Sequence, residues 1–170
     1  MSRYFLIAPT ALHTMTHNLD HVDLRLLAAL RDTLRPTHSA IARLVNIARG
    51  TVYSRLERLE ADGIITGYQP KLDPRQAGFD VVAFATLEIS QGTHDATTAA
   101  LASIPEVLEI HTITGVGDLL CRIVAHSNDH LHQILQTVTS IPTVSRSSSQ
   151  LALATPHRRE LVDLLLAEQS

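Results

Sequence analysis

Three features of this chain predict an α+β fold in two parts. The run SAIARLVNIARGTVYSRLERLEADGIITGY, from Ser39 to Tyr68, reads as two short helices, a tight turn and the first strand of a hairpin. Ahead of it, Val22, Leu26, Leu27 and Leu30 form the apolar stripe of a supporting helix capped by Asp20. Past Asp73-Pro74-Arg75-Gln76-Ala77-Gly78 the pattern changes to strand, helix, strand, strand, helix, strand. The first two features give a winged helix-turn-helix over 19–73, and the third a ferredoxin-like βαββαβ domain over 79–154. A hinge at 74–78 joins them, an N-terminal arm covers 1–18, and 155–170 carries a C-terminal helix.

The first helix of the pair, over about 37–45, has Thr37 as N-cap after Pro36 and buries Ile41, Leu44 and Val45. Asn46-Ile47-Ala48 is the turn. From Arg49, Val52, Leu56 and Leu59 recur at i, i+4 and i+7 and must face a core. Gly50, Thr51, Ser54, Arg55 and Arg58 are then expected on the other side, where hydroxyls and guanidinium groups suit phosphates and base edges. The competing reading is a solvated face on which Glu57 and Glu60 pair with neighbouring arginines. Asp62-Gly63 ends the helix, and 64–73 is expected to form a short wing from which Lys71 or Gln69 touches the backbone of a duplex.

In the second part, strands are expected over 79–90, 107–113, 119–126 and 144–153. Helices span 95–104 and, from a cap at Asn128 or Asp129, up to Thr139. Thr114-Gly115-Val116-Gly117-Asp118 turns the central hairpin. Two helices cover one sheet face, yet both faces of the strands carry apolar residues. Val82 and Phe84 oppose Val81 and Leu87, and Leu120 and Val124 oppose Leu119 and Ile123. A second copy packed sheet to sheet is the natural cover, which predicts a dimer. After Pro156, Leu161, Leu164 and Leu165 mark a last amphipathic helix.

Composition sets the remaining bounds. The 170 residues are 45% apolar and contain one cysteine, Cys121, which fits a reducing cytoplasm and excludes an internal disulfide. No apolar run reaches the roughly 20 residues of a bilayer span. The net charge of −3 is uneven: 19–73 carries eight basic against seven acidic residues, and 74–170 five against ten. A weakly positive head binds DNA usefully only when several are joined. His126, His130 and His132, like His13, His17 and His21, lack the fixed spacing to Cys or carboxylate that a metal site needs, so neither metal nor cofactor is expected. No Ser-His-Asp or paired-carboxylate arrangement points to an enzyme.

Three stretches, LDHVDLRLLAAL, ARGTVYSRLERLEADGIITGYQPKLDPRQAGF and PEVLEIHTITGVGDLLCRIVA, in that order, resemble the Lrp/AsnC (feast/famine) transcriptional regulators from Leu19 to about Leu153. The resemblance implies sequence-specific binding of pseudo-palindromic double-stranded DNA through Arg49, Gly50, Thr51, Ser54, Arg55, Arg58 and Lys71. It also implies dimers assembling further, commonly to octamers, and a small effector, often an amino acid, held between dimers. Thr114, Gly115, Val116, Gly117 and Asp118 are the corresponding effector loop. Backbone N–H groups would take the carboxylate, Asp118 the amine, and Ser147 and Ser149 would line the pocket. Read without the resemblance, the loop is a hairpin turn whose glycines supply positive φ. The chain departs from the family pattern at Ala48, where a serine cap is usual, at Ser147-Ser148-Ser149 in place of Thr-x-Thr, and in its longer tail. Two rival readings share the architecture. Sirohaem-decarboxylase-like enzymes resemble the family but carry a basic wing start where this chain has Ile65-Thr66-Gly67-Tyr68; the other rival is a metabolite-binding module that does not bind DNA.

Overall fold

A computed structural model describes residues 19–168. The expected arm over 1–18, with His13 and His17, lies outside the described residues. The chain forms two compact units, one of the residues up to Pro70 together with those from Arg159 onward, the other of Lys71–Arg158.

The first unit is built on three helices whose ends the sequence specifies locally. α1 (His21–Asp32) opens with a capping box: Asp20 Oδ1 accepts from Asp23 N at 2.9 Å, and Asp23 Oδ2 accepts from Asp20 N at 3.1 Å. α2 (His38–Val45) starts at Thr37, whose hydroxyl accepts from Ala40 N at 3.1 Å. It stops at Asn46 in the left-handed region, φ 56°, which a short amide side chain tolerates. α3 (Arg49–Ala61) begins at Ala48 with no side-chain cap. It ends in a Schellman motif: Gly63 N donates to Glu60 O at 3.0 Å and Ile64 N to Leu59 O at 2.9 Å, with Gly63 at φ 71°.

Leu26, Ile41, Ala42, Val45, Val52 and Leu56 form the core of this unit. Each buried aliphatic side chain contributes roughly 1.5–3 kcal/mol. Leu44 was expected in it but is 62% exposed, and Ala42 faces inward instead. In α1 the buried set is Leu24 and Leu26, with Val22, Leu27 and Leu30 only half-buried. The segment after α3, expected as a short wing, carries no strand pairing. Residues 64–80 contain no strand, because Pro70 removes a ladder donor and Tyr68 is tied back to α3 through its hydroxyl, which donates to Glu60 Oε1 at 2.6 Å. α6 (Leu161–Ala167) is shorter than expected, starting after Glu160 rather than after Pro156. It packs on α1 with Val162, Leu165 and Leu166 half-buried, and Arg31 of α1 pairs with Asp163. Leu161 and Leu164, which the sequence placed inward, are exposed.

The second unit contains β1 (Val81–Ile89), α4 (His94–Ala102), β2 (Val107–Thr112), β3 (Leu119–Ala125), α5 (Asn128–Thr139) and β4 (Val144–Leu151). The strands form one antiparallel sheet in the order β2-β3-β1-β4. Alternation decides the faces. Ala83, Ala85 and Leu87 of β1 and Leu119, Cys121, Ile123 and Ala125 of β3 face the helices, where Leu101, Leu131, Ile134 and Val138 close the core. Ser127, not Asn128 or Asp129, caps α5, accepting from His130 N at 3.1 Å. Val82, Phe84, Leu120, Arg122 and Val124 occupy the other face; Phe84 is 38% exposed. Across that face Arg122 Nη2 pairs with Glu109 at 2.6 Å. The expected hinge is a tight turn: Asp73 Oδ1 accepts from Arg75 N at 2.9 Å, and Phe79 N donates to Pro74 O at 2.8 Å.

Candidate nucleic-acid interface and effector loop

α3 buries Val52, Leu56 and Leu59 at 0%, 3% and 0% exposure, as the i, i+4, i+7 spacing requires. Opposite them Gly50, Thr51, Tyr53, Ser54 and Glu57 are exposed, as is Arg49 at the helix start. Tyr53 was missed, although it stands one turn after Gly50 and one before Glu57 on the same face. It makes an edge contact with the His38 ring of α2, centroids 5.9 Å apart.

The two arginines do not both point outward. Arg55 Nη1 reaches Asp20 Oδ1 and Oδ2 at 2.8 and 2.7 Å and Asp23 Oδ1 at 2.7 Å. Arg58 Nη2 donates to Asp23 Oδ2 at 2.6 Å. The reason is angular: at about 100° per residue, Arg55 stands only about 60° from Val52, on the flank beside the first turn of α1, whereas Arg58 stands about 120° away. Asp23 is fully buried between them. The Arg55 hydrogen bond, followed by the one from Asp23 N, holds the Asp20 carboxyl below its ordinary value, and the same pairing raises the Arg55 guanidinium. Lys71 is exposed and belongs to the second unit. Tyr68 is pushed up to about 12 by burial and by Glu60.

The Thr114–Asp118 loop is held by its last residue. Asp118 N donates to Leu87 O at 2.8 Å, and Asp118 Oδ2 accepts from Ile89 N at 2.8 Å. Through Oδ2 its carboxylate fastens the loop to the end of β1, while the residue itself stays exposed. Gly115 and Gly117 have φ 105° and 89°. A Cβ on Gly117 would lie 2.5 Å from Thr86 Cγ2 and 3.2 Å from Leu87 O, so a side chain there would force its neighbours to shift. Thr114, Gly115 and Val116 remain exposed at the tip. Ser147 pairs in register with Leu87, the residue the loop rests on, and Ser149 pairs with Ala85, further along. Within one protomer, then, Ser147 and the loop flank the same β1 residue from opposite sides, and Ser149 stands apart.

Other polar groups are used structurally. His126 stacks between Phe79 and His130, with centroids 4.2 and 5.2 Å away, and its Nδ1 lies 2.6 Å from Gly78 O. His132 Nε2 lies 3.0 Å from Gln136 Nε2. Burial pushes the Cys121 thiol up to about 11. A groove of about 360 Å³ beside the C-terminal end of α4 is lined by Ile104, Glu106, His130 and Thr137 among others, and by none of the expected effector residues.

A three-helix head with an exposed polar face on its last helix, joined to a βαββαβ unit with a glycine-tipped loop, defines a transcriptional regulator with separate DNA-binding and ligand-binding parts. Comparison with known proteins gives the family. Residues 19–66 match the winged helix-turn-helix DNA-binding model and residues 82–162 the Lrp/AsnC ligand binding domain model. The proline dehydrogenase transcriptional activator of Rhizobium radiobacter is 31% identical over 79% of this chain and 88% of its own length. The regulatory protein AsnC of Escherichia coli is 27% identical over 84% and 95%. The solved structure of E. coli AsnC superposes with a TM-score of 0.78 at 26% identity, covering 84% of this chain and 97% of that one. The feast or famine regulatory protein of Mycobacterium tuberculosis, complexed with L-methionine, gives 0.75 at 27% identity over 85% and 99%. This chain belongs to the Lrp/AsnC family of transcriptional regulators. Its relatives are regulators, not enzymes, which sets the decarboxylase reading aside. Among the described residues no helix is long and apolar enough to cross a membrane.

Proposed function

We propose that this protein is a cytoplasmic regulator that reads a pseudo-palindromic operator through α3 and responds to an amino acid. The single observation that carries the reading is the polar face of α3, Gly50, Thr51, Ser54 and Arg58 with Arg49 at its start, standing opposite a fully buried stripe. Hydroxyls and guanidinium donors on one helix edge suit a major groove. Two heads related by a two-fold axis would engage half-sites about 34 Å apart or a multiple of that.

The open sheet face with Phe84 and Leu120 supports a homodimer, and further assembly towards an octamer would bring several weakly charged heads onto one duplex. The effector reading rests on Thr114 to Gly117 with Ser147, and on two similar regulators, those of Neisseria meningitidis and Mycobacterium tuberculosis, whose structures contain L-methionine. Because the loop tip is exposed and the Asp118 carboxylate is engaged, the effector carboxylate would meet the loop N–H groups while a neighbouring dimer supplies the rest. Lys71 is kept as a backbone contact of the segment after α3.

The test is selection of bound genomic DNA by the full-length protein at fixed salt, with and without L-methionine and a pool of the other amino acids. Enrichment of two-fold-symmetric sites, with occupancy shifted by at least one amino acid, is expected. Uniform recovery of all fragments would end the operator reading; enrichment that no amino acid alters would end the effector reading alone.

A further inference from the structure

We infer that Asp23 is a positioning residue for the DNA contact, acting through Arg58, and that Arg55 is withdrawn from that contact to lock α1 against α3. The inference rests on α3 being the helix that faces DNA. The two guanidinium groups meet the same buried carboxylate in different ways. Arg55 spends Nη1 on three carboxylate oxygens, and its side chain is 25% exposed. Arg58 gives Asp23 a single Nη2 bond and keeps 48% of its side chain in solvent, with its other donors unengaged among the described residues. Asp23 presents one oxygen to each, Oδ1 to Arg55 and Oδ2 to Arg58, from a side chain at 0% exposure.

A carboxylate bound to one Nη of a guanidinium limits where the group can swing and leaves its other N–H donors free for a phosphate or guanine. Arg58 follows Ser54 by one helical turn and Thr51 by two, so the held group stands on the polar edge of α3. Its rotamer freedom is given up during folding instead of during binding, which is the meaning of preorganisation. Asp23 itself sits in the first turn of α1, where the helix N-terminus favours its charge.

The experiment uses the full chain with Arg58→Ala, Arg55→Gln, Asp23→Asn and the double variant Asp23→Asn/Arg58→Ala. The probes are the DNA upstream of its own coding region and a mixed-sequence duplex of equal length, titrated across a NaCl series, with thermal midpoints measured alongside. Arg58→Ala should reduce the slope of log K against log salt by about 0.9 for each head engaged. Arg55→Gln should leave the slope unchanged and lower the thermal midpoint. Asp23→Asn should weaken binding to the upstream DNA roughly tenfold without changing the slope. In the Arg58→Ala background it should cost no further affinity while still lowering the midpoint, a coupling that a purely structural role does not produce. Additive affinity losses, or a wild-type slope in Arg58→Ala, overturn the inference. If Asp23→Asn does not fold, the two arginine variants decide: equal slopes overturn it and unequal slopes support it. Failure of the wild type to bind either duplex removes the reading of α3 itself, whereas wild-type binding unaffected by Arg58→Ala removes only the present inference.

Discussion

Asp20 caps α1 and at the same time accepts two bonds from Arg55 of α3, so one carboxylate serves a local and a tertiary purpose. Its acidity shows this: Arg55 first, then Asp23 N, holds it below the ordinary 3.8. Glu109 is held low chiefly by Arg122, and Asp163 chiefly by Glu160 N. Each folded-state value lies below the unfolded one, so the unfolded chain takes up protons first as pH falls. The stability these groups give is complete above about pH 4.5 and is lost as pH drops through the lowered values. We expect the thermal midpoint to fall below about pH 4.5, and Asp20→Asn, which can still cap the helix, to show a shallower acid slope; equal slopes would remove Asp20 from the account. The glycines of the loop tip make a second residue-scale prediction. Gly117→Ala must drive a methyl into Thr86 and the Leu87 carbonyl and should destabilise by about 2–4 kcal/mol. Gly115→Ala meets open space and carries only the left-handed penalty, about 1–2 kcal/mol. Chemical denaturation of the two variants ranks them, and a Gly115 variant as damaged as the Gly117 one would contradict the packing argument.

At the scale of elements, α3 is the weakly started helix of the head. Ala48 offers no side-chain acceptor to its first turn, in contrast to Asp20 and Thr37 before α1 and α2. Ala48→Ser should raise stability by about 1 kcal/mol, read as a higher thermal midpoint. No change would mean that the α3 donors are already satisfied by water. The tail is the other informative element. α6 returns to α1 after the whole second unit has been built, bringing Asp163 to Arg31 and half-burying Val162, Leu165 and Leu166. An exposed ion pair contributes little, so the apolar contacts dominate, at roughly 1–3 kcal/mol. Ending the chain at Arg158 should therefore lower the protection of α1 amides in hydrogen exchange while leaving β1 and β3 unchanged. Unaltered α1 protection would show that α6 is dispensable to the head.

For the whole molecule, the governing feature is that α4 and α5 cover only one face of the sheet in the second unit. Phe84, Leu120 and Val82 need a cover that α4 and α5 cannot supply. On the proposed homodimer, Phe84→Glu should shift the mass in sedimentation equilibrium from that of two chains to that of one and weaken DNA binding through lost avidity. An unchanged mass would place the interface elsewhere. The negative charge of the second part and the near-neutral head are the reason the proposed assembly is expected to matter for DNA affinity.

The sequence alone determined the periodic and local features: the stripe Val52, Leu56, Leu59, the Asp20 and Thr37 caps, the Gly63 stop and the strand alternation. These depend on neighbours a few residues away and are written into side-chain spacing. Tertiary structure decided what distant residues do to one another. It turned Arg55 towards Asp20 and Asp23, bound Asp118 to Ile89 N, kept Tyr68 on Glu60 so that no hairpin formed, and brought α6 back to α1. A helical wheel assigns a direction but not a partner, and charged side chains on a flank go to whichever opposite charge the fold brings within reach.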